Sequence, residues 1–284
     1  SNTLLSNTNE RAEGPYPTMV GNTAIVQAYA YGKFLGELDV TFDDGGNIIQ
    51  AVGEPLVMDS AVAEDSSTLA RIAKAAEPLN ELRAMVIGKS SALIEGNRKF
   101  CRVQECEMGN LIADAMLDRV AAQGVTIALA NAGNIRASIE PGAVTMGQVL
   151  EVLPFQNTLA TFETSGQVII DALENGVSQV EDVKGRFPQV AGLRYTWDSS
   201  IAANEGRIVE VLVGKGNGFV PIDPAATYMV VTNNYIRSGG DGYKMFRSAK
   251  NAYDYGPNLE NVMAEYMAKQ DAYVPYLDGR ITRK

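Results

Sequence analysis

The feature that most constrains the fold is the apolar run "VTIALA" at residues 125–130, which follows a helical pattern. Such a run is typical of a β-strand buried on both faces of a sheet, because a strand with one solvated face alternates apolar and polar side chains. The preceding stretch "GNLIADAMLDRVAAQG" repeats its apolar residues at helical spacing and ends at Gly124. A buried strand beside an amphipathic helix requires a sheet that is covered by helices.

From Ile87 onward the chain continues to alternate strand and helix signals. "TMGQVLEVLPF" begins with a capping box, Thr145 to Gln148, and its helix must end before Pro154. "TSGQVIIDALENGVSQV" predicts another helix, and "TLATFE", "LRYTWD", "RIVEVLVGKGNG" and "YMVVTNNY" predict strands. We therefore expect a mixed α/β (α+β) domain over 87–284, with mixed sheets flanked by helices.

The N-terminal part is too short to form a domain of its own. "ELDVTFDDGGNIIQ" predicts a hairpin, because apolar residues alternate before an Asp-Gly-Gly-Asn turn. The next apolar pattern predicts a helix that Ser66 or Ser67 caps and that Pro78 kinks or breaks. We divide the chain into an N-terminal segment at 1–58, a connector helix at 59–86 and the main domain at 87–284.

Composition excludes several classes of function. The 284 residues contain no histidine, which rules out a Ser-His-Asp triad, a Cys-His pair and a His-ligated zinc site. No Asp/Glu ladder with the spacing of a magnesium or calcium site is visible, so we expect no metal ligands in this chain. The formal net charge of −10 does not favour a nucleic-acid partner, which requires a basic surface. No apolar run approaches about 18 residues, so no membrane span is expected.

Polar, glycine and aromatic residues gather just past the predicted strand ends, where open α/β sheets bind ligands. They occur in the stretches "FCRVQEC", "NAGNIR", "LPFQNT" and "NYIRSGGDGY". Each stretch alone is also explained by turns, helix caps or packing, and the last by a hairpin loop with Asp-Gly turn chemistry. Together they supply Arg102, Asn131, Arg136, Phe155, Asn157, Tyr235 and Asp241.

This set of side chains fits a nucleotide. A base stacks on aromatic faces, each of which contributes about 1–3 kcal/mol. Ribose hydroxyls suit a carboxylate acceptor, as in other nucleotide sites. Arginine suits phosphate because its fork is planar and permanently charged.

Five stretches resemble, in this order, the C-terminal domain of the 5'-nucleotidase family: "CRVQECEMGNLIADAM", "NAGNIR", "LPFQNT", "GRFPQVAGLRYTWD" and "TNNYIRSGGDGY". That family includes periplasmic UDP-sugar hydrolases and cell-surface ecto-5'-nucleotidases. "PYPTMVGNTAIVQAYAYGKFLGELDVTFD" is similar to the closing segment of the family's N-terminal metallophosphatase domain, just beyond its Gly-His-x-His metal motif. The resemblance implies that 87–284 is the nucleotide-binding domain and that 1–58 is a residual part of the metallophosphatase domain.

The resemblance assigns the base and the sugar to particular residues. Phe155 and Tyr235 resemble the two aromatics that sandwich the base. Tyr235 stands where many members have Phe, and its hydroxyl could alter base preference. Asp241 resembles the carboxylate that holds the ribose hydroxyls. Asn157 and Gly185 align with positions that touch the base, Gly185 through its backbone.

The phosphate side of the site is assigned in the same way. Arg102 and Arg136 resemble the phosphate and ribose contacts, and Asn131 resembles a neighbouring amide ligand. Cys101 and Cys106 match a disulfide found in some members, whereas their spacing alone leaves two free thiols equally possible. A disulfide and the family's known members imply a periplasmic, extracellular or cell-surface location.

No residue resembles the family's catalytic Asp-His dyad, so we predict no catalytic residue here and no hydrolysis by this chain alone. Two divalent metal ions, zinc, manganese or similar, would lie in the missing N-terminal metallophosphatase domain, which the resemblance implies as a partner. The open alternatives are a 2',3'-cyclic-nucleotide phosphodiesterase, a UDP-sugar hydrolase, a sulfur-compound hydrolase and a non-catalytic surface module. The aromatic pair with Asp241 favours a nucleoside or nucleotide ligand. The sequence gives no indication of oligomeric state.

Overall fold

In the computed structural model, which describes residues 3–284, the chain forms two units that divide between Ala75 and Ala76. The first unit contains β1 (Thr18–Val20) paired with β2 (Thr23–Ile25), and β3 (Phe34–Phe42) paired with β4 (Ile48–Val57), both antiparallel. The predicted hairpin is therefore confirmed. Its turn is held by the Asp43 carboxylate, which accepts the amide hydrogens of Gly45 at 2.9 Å and Asn47 at 2.8 Å.

Helix α1 (Ser66–Ala84) corrects the expected cap and excludes a break at Pro78. Its cap is Asp65, whose carboxylate accepts the Thr68 amide at 2.7 Å and the Ser67 hydroxyl at 2.7 Å. Ser66 and Ser67 lie inside the first turn instead of capping it. Pro78 lies within the helix, which continues past it to Ala84, so the helix does not break there.

The second unit contains the rest of the elements. The helices are α2 (Arg98–Cys101), α3 (Glu107–Val120), α4 (Met146–Val152), α5 (Gly166–Val177), α6 (Asn234–Arg237) and α7 (Leu259–Ala268). The strands are β5 (Val86–Ser90), β6 (Ile127–Asn131), β7 (Gly142–Thr145), β8 (Leu159–Ser165), β9 (Pro188–Ala191), β10 (Leu193–Trp197), β11 (Ile208–Lys215), β12 (Gly218–Pro221), β13 (Thr227–Asn233), β14 (Lys250–Tyr253) and β15 (Ile281–Arg283).

These strands form a five-stranded sheet in the order β14-β8-β13-β6-β9, a four-stranded sheet in the order β12-β11-β10-β15, and the pair β5-β7. Both larger sheets mix parallel and antiparallel neighbours. Helix α3 packs on β6 and β9, and α5 packs on β8 and β11. The mixed α/β fold expected from the sequence is confirmed.

The local predictions that rest on helix chemistry also hold. The Thr145 and Gln148 capping box is present, and α4 ends at Val152, before Pro154. The predicted helix α5 is present, and the side chain of Ser165 caps it, which was not predicted. The apolar face of α5 is buried, as are all five residues of β6.

The sheet positions the candidate site through two neighbouring strands. β6 and β13 are parallel neighbours, with Ile127 opposite Val230. Their carboxyl ends therefore lie at the same edge, where ligands bind in open α/β sheets. "NAGNIR" continues from β6 and "NYIRSGGDGY" from β13. The second stretch is not a hairpin loop, since α6 and a 3₁₀ turn at Gly240–Gly242 follow β13 before β14 begins.

Candidate functional site

A pocket of about 500 Å³ lies at this edge of the sheet. Its walls are Arg102, Asn131, Gly133, Asn134, Arg136, Phe155, Asn157, Gly185, Tyr235 and Asp241. The structure thus brings together, around one cavity, all eight residues that the sequence nominated for substrate binding. They come from loops and element ends along the chain, and the two that are farthest apart, Arg102 and Asp241, are separated by 139 residues (241 − 102).

Two aromatic rings stand partly exposed in the pocket. Phe155 follows α4 and is 49% exposed, and Tyr235 lies in α6 and is 45% exposed. The guanidinium of Arg136 lies 4.8 Å from the centroid of the Phe155 ring. The Tyr235 ring lies against Gly240, where a Cβ atom would come within 2.5 Å of it. Exposed ring faces in a concave polar site are suited to cover a flat ligand.

The Asp241 carboxylate is held at both oxygens. Oδ2 accepts from the Asn131 amide nitrogen at 2.7 Å, and Oδ1 accepts from the Tyr235 hydroxyl at 3.0 Å. Asn131 is 2% exposed, and its own Oδ1 accepts from the Asn233 amide nitrogen at 3.0 Å. Asn131 therefore acts on the site through Asp241. Burial, and then the negative charge of Asp241, raise the pKa of Tyr235 above its ordinary value.

Two glycines bring backbone to the pocket wall. The Gly133 amide donates to the Gly185 carbonyl at 2.7 Å. A Cβ atom on Gly185 would lie 2.8 Å from the Gly133 Cα, so only glycine fits there without a shift of backbone. Gly185 lines the cavity at a point where the two backbones leave no room for a side chain.

Asn134 is a lining residue that the sequence reasoning missed, although it lies in the quoted stretch "NAGNIR". Its Oδ1 accepts from the Asn157 amide nitrogen at 3.0 Å. Its own Nδ2 is buried without a hydrogen-bond partner. An unpaired buried donor is costly, so this amide favours an acceptor that the described residues do not provide.

Two arginines line the pocket, and a third lies near them. Arg102 and Arg136 also line an adjoining cavity of about 280 Å³, which Arg98 completes. Burial and the positive charges of Arg136 and Arg98 lower the pKa of Arg102. Its Nη1 donates to the Val183 carbonyl at 3.1 Å, whereas its Nε is buried without a partner. Convergent guanidinium groups that repel one another suit an anion.

Cys101 and Cys106 form the disulfide that the resemblance implied, with 5.1 Å between their Cα atoms. The bridge joins the end of α2 to the cap of α3, where the Cys106 sulfur accepts the Gly109 amide at 3.3 Å. Arg102 lies inside the closed loop. The disulfide therefore fixes the backbone that carries one of the candidate phosphate ligands.

Among residues 3–284, no group of three His, Cys, Asp or Glu side chains could hold a metal ion. None of the helices described is long and apolar enough to cross a membrane.

Sequence comparison with known proteins points to one family. The sequence model of the 5'-nucleotidase C-terminal domain matches residues 86–248. The trifunctional nucleotide phosphoesterase YfkN of Bacillus subtilis is 37% identical over 265 residues, covering 91% of this chain and 18% of that protein. The 5'-nucleotidase of Homo sapiens is 33% identical over 304 residues, covering 99% of this chain and 53% of the human protein. The chain thus spans about half of that relative, and less of YfkN.

A solved structure points to the same family. The crystal structure of the 5'-nucleotidase precursor from Thermus thermophilus superposes with a TM-score of 0.73 and 41% identity. That match covers 99% of this chain and 57% of the Thermus chain.

Proposed function

Because this chain belongs to the 5'-nucleotidase family and contains its C-terminal domain, we propose that it binds the substrate of a 5'-nucleotidase-type phosphohydrolase. Such an enzyme cleaves nucleoside 5'-phosphates to nucleoside and phosphate. The observation that carries the proposal is the single pocket lined by two aromatic rings, a fixed carboxylate and two arginines.

The roles follow from the chemistry of each wall. The base stacks on Phe155 and Tyr235, with the Asn157 amide and the Gly185 backbone at its edge. The ribose hydroxyls donate to the Asp241 carboxylate. Arg102 and Arg136 hold the phosphate by charge-assisted hydrogen bonds.

The bond-breaking chemistry is assigned elsewhere. In this proposal two divalent metal ions, zinc, manganese or similar, activate water and neutralise phosphoryl oxygens in the metallophosphatase domain. The described residues offer no set of ligands for them, and the chain has no histidine. This chain therefore binds and orients the substrate, and we expect no hydrolysis by the purified chain alone.

Residues 1–58 are proposed to be the end of that metallophosphatase domain, with 59–86 as the connector helix and 87–284 as the nucleotide-binding domain. The β3–β4 hairpin supports this division, because it exposes large apolar side chains such as Leu35, Ile49 and Val52. Exposed apolar side chains in this number suit burial against further protein. The disulfide favours an oxidising compartment, periplasmic or at the cell surface.

Isothermal titration calorimetry with adenosine and AMP tests the proposal. We expect dissociation constants in the micromolar range or weaker, since the phosphate is held from one side only. The double variant Phe155→Ala/Tyr235→Ala should abolish binding, because each ring contributes about 1–3 kcal/mol. The matched control is Tyr253→Ala/Tyr255→Ala, an exposed aromatic pair that does not line the pocket. Unchanged binding in the pocket variant would rule out this site.

A UDP-sugar is the second candidate substrate, and the adjoining cavity lined by Arg98 favours it because a diphosphate needs a second anion site. A thermal-shift panel of adenosine, AMP, 2',3'-cyclic AMP, UDP-glucose and thiosulfate separates the candidates. If UDP-glucose is the ligand, Arg98→Ala weakens its effect and leaves that of AMP unchanged. A response to thiosulfate alone indicates a sulfur-compound hydrolase, and no response indicates a non-catalytic module.

A further inference from the structure

We propose that Tyr235 is a specificity-determining residue for the sugar, because its hydroxyl positions the Asp241 carboxylate to accept from both the 2'- and the 3'-hydroxyl of a ribose. The inference rests on the proposed nucleoside site and deepens it. It assigns to the Tyr235 hydroxyl a role in sugar recognition, where the sequence suggested an effect on the base.

The Asp241 carboxylate belongs to a series of hydrogen bonds that starts and ends in α6. Tyr235 donates to Asp241 Oδ1 at 3.0 Å, and Asn131 donates to Oδ2 at 2.7 Å. Asn233 donates to Asn131 at 3.0 Å and accepts the Ile236 amide at 3.1 Å, which caps α6. Because Tyr235 also lies in α6, this series of hydrogen bonds begins and ends at the same helix. Each side chain in the series therefore fixes the orientation of the next.

The backbone of Asp241 is fixed as well. Its φ of 51° lies in the left-handed region, which few non-glycine residues adopt, aspartate more readily than most. The Asp241 amide donates to the Tyr235 hydroxyl oxygen at 3.3 Å, and the Asp241 carbonyl accepts from the Asn175 amide nitrogen at 3.2 Å. Gly240 allows the Tyr235 ring to lie directly against this turn. The ring and the carboxylate are thus one assembly.

This arrangement decides what the hydroxyl can do. A phenol has one hydrogen to donate, and in Tyr235 that hydrogen goes to Asp241. Each oxygen of a carboxylate has two acceptor positions. One position on each Asp241 oxygen is occupied, so one on each remains for a sugar hydroxyl. An acceptor pair that is already oriented loses little freedom when the diol binds.

The test is Tyr235→Phe, which keeps the stacking ring and removes the hydroxyl. In calorimetry we expect adenosine to bind about five- to tenfold more weakly to the variant, as for the loss of one hydrogen bond. Binding of 2',3'-dideoxyadenosine, which stacks without the diol, should change less than about twofold. Tyr253→Phe, outside the pocket, is the matched control and should change neither constant.

Two results would overturn the inference. If the variant loses affinity equally for both ligands, the hydroxyl serves the base or the stack. If it binds adenosine as tightly as the wild type or more tightly, the hydroxyl is idle or competes with the ribose. If the proposed nucleoside site itself is wrong, the result is distinguishable, because the wild-type chain would then bind neither nucleoside.

A second readout needs no ligand. Apart from Asp241, the charged group that acts on Tyr235 is Arg186, which lowers the pKa of the phenol and opposes the effect of burial and of Asp241. In an NMR titration of ¹³C-labelled tyrosine, assigned with Tyr235→Phe, the variant Asp241→Asn should lower the pKa of Tyr235. A pKa that does not move would show that the two side chains are uncoupled and would contradict the inference.

Discussion

The β3–β4 hairpin of residues 1–75 and the five-stranded sheet of residues 76–284 contain similar apolar side chains but bury them very differently. Phe42 in β3 is 58% exposed, whereas Phe162 in β8 is fully buried between helices and neighbouring strands. The hairpin has only one partner for each strand, and the larger sheet has helices packed on it. Apolar patterning therefore predicts a strand, but it does not predict what covers that strand.

The same contrast holds for function. Every residue that lines the candidate pocket lies in the second unit, between positions 102 and 241. The described residues of the first unit offer exposed apolar surface and contribute nothing to the lining of that pocket. We therefore expect both the stability and the binding of this chain to depend on residues 76–284.

The largest expected effect comes from the same substitution made in both regions. Phe162→Ala should lower the free energy of unfolding by about 3–5 kcal/mol, because it leaves a cavity in a close-packed core. Phe42→Ala should change it by less than about 0.5 kcal/mol, since the ring is already solvated. Urea denaturation followed by circular dichroism measures both. Similar losses in the two variants would mean that the hairpin is as well packed as the sheet.

Within the second unit, the Cys101–Cys106 disulfide is expected to affect both stability and binding. Replacing Cys101 and Cys106 together by Ala should cost about 2 kcal/mol, as expected for closure of so short a loop. Binding of AMP should weaken more than binding of adenosine, because the bridged loop carries Arg102. Reduction of the wild-type chain with dithiothreitol is the control and should reproduce the loss of stability. An unchanged urea midpoint after reduction would show that the loop is held without the bridge.

The smallest effect tests the backbone approach at the pocket. Gly185→Ala should weaken adenosine binding about tenfold, roughly 1.4 kcal/mol, because its Cβ atom meets the Gly133 backbone at 2.8 Å. Gly218→Ala is the matched control, since a Cβ atom there meets nothing within 4 Å. Calorimetry at one temperature compares them. Equal effects of the two substitutions on adenosine binding would show that the Gly185 backbone does not contribute to the site.

Local chemistry explains what the sequence could predict of the fold. The capping box of Thr145 and Gln148 and the buried run of β6 depend on residues close together in the chain, and both are confirmed. The cap of α1 was placed one or two residues too late because Asp65 and the following serines are all good caps. The sequence does not decide which structure follows β13, because the glycines around Asp241 suit a hairpin loop as well as the 3₁₀ turn that forms.

The site was nominated through the order of the family's motifs, and its residues do lie together. The hydrogen bonds among them could not be predicted, because Asn131 and Asp241 are 110 positions apart and no local pattern links them. Asn134 and Arg98 were missed for a related reason. Asn134 lies within a quoted motif and Arg98 two residues before another, and only the folded chain shows that each lines a cavity.

The most direct test of the nucleoside site is a crystal of this chain soaked with adenosine. We expect electron density for the base between the rings of Phe155 and Tyr235, with the ribose hydroxyls within hydrogen-bonding distance of the Asp241 carboxylate. Adenosine bound elsewhere on the chain, or a pocket that stays empty at a ligand concentration that saturates binding in solution, would contradict it.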